Sequence, residues 1–254
     1  MPAPIHPLHL AVALDRPGAR HPDPLVRYIR DIRLAERGRL DFVTLDDLGQ
    51  GHDAPAIPAR VVAATERIGL VAAVTATTPT AALDRIGRGR VGWVVRVPGA
   101  EAVARLREGR TRGRPVIAVD AAEASVREAA ACAAELVFLR TAPTAAPHRV
   151  RAAADGLRGG DGVRRTVVLA SLPVALDASA DAVALAELIA AWYTDGTVDG
   201  FHLRPRDPDR DLPLLVDATV PVLQHRGLLR NFYPGNTLRE HLCLSRTSPE
   251  PVTG

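Results

Sequence analysis

In the stretch "GFHLRP", residues 200–205, a histidine and an arginine stand two positions apart, His202 and Arg204. In an extended strand that spacing puts both side chains on one face. An imidazole that titrates near neutral pH beside a permanent cation can hold an anion and act as an acid or base. Polar residues also end the other short apolar runs of the chain: Asp46, Asp47, Thr75, Thr77, Arg96, Asp120, Arg140 and Ser171. Were those runs neighbouring strands ending on one rim, all these residues would share a mouth. They would then either hold a ligand or pair with one another across the opening, and the residues by themselves leave both readings open. No recognisable Ser–His–Asp spacing occurs, and the glycines of "GRGRVG" lack the Lys of a phosphate-binding loop. Cys132 and Cys243 are too few for a disulfide framework and lack metal-ligand spacing, so no metal site is expected.

The elements that would position these residues repeat along the chain. Apolar runs occupy 8–14, 40–45, 68–76, 91–97, 114–120, 134–141, 166–173 and 200–205, most of them followed by a segment of helical pattern. They are nearly continuous in Val, Leu, Ile and Ala, as strands covered on both faces are, which points to a parallel sheet. Pro24 opens a helix that ends at Gly38. Ser179 is placed to cap a second, with Asp181 in its first turn and Gly196 just past its end. The last long helix is expected from about Asp211 to Gly227, kinked at Pro221. Eight strand–helix units in this length are what a closed (β/α)8 barrel requires, with an open doubly wound sheet as the alternative. No linker-like stretch divides the chain, so residues 1–254 are expected to form one α/β domain.

Composition narrows the function classes. Hydrophobic residues make up 47% of the chain, ample for a large core. All 32 Lys+Arg residues are Arg, and the net charge is only +3 with the signs interspersed. The densest run (Arg27, Arg30, Arg33, Arg37 and Arg39) alternates with Asp31 and Glu36, which reads as a solvated helix face and not a phosphate-binding stripe. Neither a nucleic-acid nor a membrane partner is expected. The opening "MPAPIHPLHLAVAL" lacks the basic start of a secretory leader, and a cytoplasmic location is the expectation.

Several motifs carry a family resemblance. "LAERGRLDFVTLDD", "RIGLVAAVTATTP", "LDRIGRGRVGWVV", "RPVIAVDAAEASVREAAACAAELVF" and, most specifically, "DGFHLRP" with "VDATVPVLQHRGLLRNFYPGNTLREHL" occur in order. Together they resemble the luciferase-like flavin-dependent monooxygenases, in the branch of nitrilotriacetate, dibenzothiophene-sulfone and pristinamycin-type enzymes. The resemblance implies a TIM barrel in which 227–254 is an ordered C-terminal extension. It also implies reduced FMN from a separate flavin reductase, a small organic substrate attacked with O2, and a homo- or heterodimer. It assigns Asp47, Thr75, Thr77, Ala121 and Glu123 to cofactor binding, while His202 and Arg204 stay the catalytic candidates that their spacing suggests. Asn231 and Tyr233, in the extension, are expected mainly to pack against the barrel.

The chain also departs from that pattern. The lid-forming excursion between the fourth and fifth strands has no counterpart, since only "PGAEAVARLREGRTRG" lies between Val97 and Arg114. Val94 replaces the Asn of the family's "GWN", and Ala121 and Glu123 stand where Gly and Ser receive the phosphate. A carboxylate about 4 Å from a phosphate charge costs roughly 4 kcal/mol at an effective dielectric of ~20. The alternative implied by these departures is a non-catalytic barrel, a helper subunit or small-ligand binder.

Overall fold

A computed structural model describes residues 7–14, 24–45, 56–74, 86–95, 115–122, 134–158 and 165–244. Eight parallel strands form a closed ring in sequence order. They are β1 (His9–Ala13), β2 (Phe42–Leu45), β3 (Gly69–Val74), β4 (Val91–Val95), β5 (Val116–Ala122), β6 (Leu136–Arg140), β7 (Val167–Val174) and β8 (Gly200–Pro205). The pairing of β8 with β1, from His9 beside Gly200 to Val12 beside Leu203, closes the ring and excludes the open sheet. Around it lie α1 (Pro24–Arg37), α2 (Ala56–Ala64), α3 (Pro147–Arg158), α4 (Ser179–Thr194), α5 (Pro208–Leu214) and α6 (Val220–His225), with a short α7 (Leu238–His241) after them.

Successive residues of a strand point to opposite faces, and two cores follow from that alternation. Leu10, Val12, Val43, Leu70, Trp93, Val119, Leu139, Leu172 and Leu203 face outward and pack with the helices. Ala11, Phe42, Val71, Val94, Ala118, Phe138 and Leu169 fill the barrel, joined by Leu238 and Leu242 of the C-terminal segment.

Three local departures from the sequence expectation have plain causes. α4 begins at Ser179, but Asp181 supplies the cap, accepting the N–H groups of Asp177 and Ala178 at 2.9 Å each. The last long helix starts at Pro208 and passes through a π turn, Leu215–Thr219, before α6. Pro221 has no N–H to give the carbonyl of Asp217, and the wider turn before it accommodates the ring without a break. On α1, Arg27 is buried and bridges Asp31 and Asp209, so the face expected to be solvated is partly a docking face against α5. Arg30 and Arg37, on the same helix, stay largely exposed.

The C-terminal segment closes the N-terminal end of the barrel. Leu238 reaches in where β3 and β4 carry glycines. A Cβ on Gly69 would stand 2.6 Å from Leu238 Cδ1, and one on Gly92 would stand 3.0 Å from Cδ2. Thr237 caps α7 by accepting the N–H of Glu240 at 3.2 Å, and Glu240 accepts those of Asn236 and Thr237 at 2.7 and 2.9 Å. The segment is pinned at Asp41, which is wholly buried just before β2. Its carboxylate takes the N–H of Leu10 at 2.8 Å, meets His9 Nδ1 at 3.3 Å and pairs with Arg230. Tyr233 donates its hydroxyl to Leu40 O at 2.9 Å, and burial pushes that phenol well above its usual range.

Burial would raise the Asp41 carboxyl, but Arg230 and His9 more than offset it and hold it well below the ordinary carboxylate range. A depressed folded-state value stabilises the fold above the unfolded value near 4 and is lost as pH falls below it. The stability gap between the wild type and Asp41→Asn, measured by urea denaturation, therefore narrows as pH drops below about 4. At neutral pH, Arg230→Met leaves the buried carboxylate uncompensated and costs about 3–5 kcal/mol. Leu238→Ala costs about 2–5 kcal/mol in the same assay.

Candidate functional site

The opposite end of the barrel is built from the carboxyl ends of the strands, where ligands bind in folds of this kind. Its inward rows divide into two halves. Ala13, Ala73 and Val94, the inward residues nearest the carboxyl ends of β1, β3 and β4, are small and apolar, with Thr44 of β2 among them. The half from β5 to β8 carries Asp120, Phe138, Arg140, Ser171, His202 and Arg204, all in positions that alternation turns inward.

His202 sits in the middle of this arrangement and is 5% exposed. Its Nε2 lies 2.9 Å from Thr44 Oγ1, across the barrel on β2. Its Nδ1 lies 3.1 Å from Ser171 Oγ, the residue paired with it on β7. Phe138 stacks on the ring, with centroids 4.4 Å apart and an interplanar angle of 21°. Two residues on, Arg204 shares the inward face at intermediate exposure. Nearer the rim, Arg140 grips Asp120, with Nε 2.7 and 2.8 Å from the two carboxylate oxygens and Nη2 on Oδ2. That pair fits the expectation of charges meeting across strand ends. Because Arg140 is half exposed, the pair contributes under about 1 kcal/mol.

Of the residues that the resemblance assigns to cofactor binding, Asp47, Thr75, Thr77 and Glu123 lie outside the described residues, as do Asp46 and Arg96 of the rim. Ala121 is described, and its side chain faces away from the mouth. It is 1% exposed and packs in the outer core between sheet and helices, so only its main chain can meet a ligand. Val94 takes the inward place of the family's Asn and makes that part of the wall apolar. Thr44 and Phe138 stand less clear in the sequence, since each lies inside a run read as strand core, two residues short of the polar residue that ends it. Tyr233, at the opposite end, is committed to Leu40. A surface hollow of about 360 Å³ along α3, lined by His148, Arg151 and Asp155 among others, lies on the outside of the barrel. Among the described residues no cluster of His, Cys, Asp and Glu converges as metal ligands would, and no helix is long and apolar enough to cross a membrane.

A 62-residue stretch is 39% identical to N-acetyl-S-(2-succino)cysteine monooxygenase of Bacillus subtilis (strain 168), covering 24% of this chain and 14% of that protein. A 60-residue match to dibenzothiophene-sulfone monooxygenase of Rhodococcus erythropolis is 42% identical, over 24% of this chain and 13% of that one. Over these stretches the chain is homologous to the two monooxygenases. The matched stretches are a small part of those relatives. Among solved structures, EDTA monooxygenase from Chelativorans sp. BNC1 superposes with a TM-score of 0.68 at 16% identity, over 94% of this chain and 99% of that one. DmoA from Hyphomicrobium sulfonivorans gives a TM-score of 0.69 at 14% identity, over 93% and 92%. At such identities the structural likeness concerns the fold. No family model matches the chain.

The outward position of Ala121 separates its structural role from a ligand contact. Ala121→Ser adds a hydroxyl to the outer core and lowers stability by about 1–3 kcal/mol in thermal or urea denaturation. Unchanged stability would show the added hydroxyl reaching a polar partner at the mouth instead.

Proposed function

We propose that this barrel binds reduced FMN at the carboxyl ends of its strands and oxygenates a small organic substrate, using flavin delivered by a separate reductase. The observation that carries this reading is the two-sided mouth. Reduced FMN joins a flat, largely apolar ring system to an anionic tail. The described residues offer a small apolar wall on β1, β3 and β4 and donors on β7 and β8. Ala13, Ala73 and Val94 would lie against the ring system, while Arg204 would meet the anionic portion of flavin or substrate. His202, held by Thr44, Ser171 and Phe138, would present an imidazole to the polar edge. When bound, reduced flavin supplies the reaction with O2. The chain's own residues bind, orient and exclude water, which matters because reduced-flavin chemistry is unproductive in water. Asp47, Thr75, Thr77 and the main chain around Ala121 and Glu123 complete the proposed cofactor site, and a dimeric, cytoplasmic enzyme is part of the same proposal.

The connection between β4 and β5, residues 96–115, is too short to hold the family's lid, which favours a second reading. In it the barrel is a non-catalytic helper of a longer homologue or binds another small ligand. The first reading makes two demands. Anaerobic titration with reduced FMN gives micromolar or tighter binding, and Arg204→Ala weakens it about tenfold or more, the worth of one charged hydrogen bond. With reductase, NADH and O2, an oxygenated product appears. No binding by the wild type, with binding recovered by Glu123→Ser, establishes the second reading.

A further inference from the structure

His241 lies in the floor of the barrel, on α7, and is fully buried. Its Nδ1 faces Asp41 O at 3.3 Å, its Nε2 faces Gly235 O at 3.2 Å, and its ring packs against Tyr233 with centroids 4.8 Å apart. A neutral imidazole carries one N–H and donates to only one of these carbonyls, whereas an imidazolium would donate to both. Two features oppose the charged form. Water is excluded, so the cation loses its hydration. The Arg230 guanidinium also stands close, donating through Nη1 to His241 O at 3.3 Å. The Asp41 carboxylate draws the ring toward the charged form, but Arg230, His9 and the N–H of Leu10 already share it, and His241 meets only that residue's main-chain carbonyl. Glu240 on α7, with Arg39 and Glu36 around Tyr233, completes the charged surroundings. Burial is the largest of these effects, and it holds the imidazole below its ordinary value.

We propose that the floor segment, residues 228–244, is a proton-sensitive latch, docked while His241 is neutral and lifting more often once that ring takes up a proton. The buried ring disfavours the proton, so the form that binds it is the one in which the segment has lifted and the ring is in water. A free imidazole titrates near 6.5. Because the docked value is lower, docking is at full strength above about 6.5 and weakens as pH falls below it. Lifting withdraws Leu238 from the space beside Gly69 and Gly92, and with it the seal on the barrel interior. The Asp41 carboxylate acts in a separate range, below about 4, so the two groups loosen the segment in turn as pH drops.

Hydrogen exchange of the full chain at pH 7.5 and 5.5, expressed as protection factors, tests the latch. The amide of Leu238 is bonded to Gly89 O on the barrel, and those of Leu242 and Leu244 to carbonyls of α7. Between the two pH values their protection falls by up to about tenfold more in the wild type than in His241→Gln, the most that a single group with a free value near 6.5 delivers. The Leu14 amide, bonded to Thr44 O at the other end of the barrel, keeps its protection in both proteins. Equal falls in the wild type and the variant overturn the latch. Protection that rises in acid in the wild type alone also overturns it, since the two carbonyls would then be holding His241 as an imidazolium. Should His241→Gln fail to fold, NMR of the His241 ring in the wild type decides instead. A titration midpoint below 6.5 supports the latch, and one at or above 6.5 overturns it.

Discussion

Closure of the sheet through the pairing of β8 with β1 is the constraint on which the rest of the molecule depends. In an open sheet both faces of every strand could be covered by helices, and an inward row would have no special meaning. Once the ring closes, alternate residues of each strand are committed to a narrow interior. The apolar runs, continuous in type, become two different environments. One face of each strand meets helices and the other meets the strands across the barrel. Ala121 and Asp120 are chain neighbours on β5, yet the first is an outer-core residue and the second belongs to the mouth.

The two ends of the barrel solve opposite physical problems. At the amino-terminal end the interior must be sealed, and Leu238 does so because Gly69 and Gly92 leave room for it. Holding that plug requires the last segment to stay docked, which falls to a buried carboxylate shared by Leu10, His9 and Arg230. A buried charge with these partners is costly to disturb, so the end that closes the core resists rearrangement. At the carboxyl end the inward residues are a mixture of small apolar groups, hydroxyls, an imidazole and guanidinium groups. Such a mixture suits a ligand that is part flat and apolar, part anionic.

The relation to luciferase-like monooxygenases joins these two ends in different ways. The sequence resemblance is most specific in the last strand and the segment after it, and that segment builds the floor. The mouth is where this chain departs from that resemblance, at Val94 and in the short connection after β4. Retention of the floor preserves the fold, and changes at the rim alter what the fold can hold.

All eight strands, and helices such as α1 and α4, were legible in the sequence, because periodicity and punctuation are local properties. The Val- and Leu-rich runs read as doubly covered parallel strands, and Pro24, Gly196 and Gly227 marked helix ends where the structure has them. His202 and Arg204 were legible as a pair because a spacing of two on a strand fixes a shared face. The identity of their partners was not. Thr44 lies 158 positions from His202, inside a run that reads as core, and nothing local says which residue its hydroxyl meets. Arg27 read as solvated for the same reason, since its partner Asp209 is distant in the chain. The sequence by itself determined the elements, their order and the inward pairing of His202 with Arg204. Only ring closure decided which hydroxyls, aromatic ring and charges meet them, because those contacts join residues whose proximity depends on the closed curvature of the sheet.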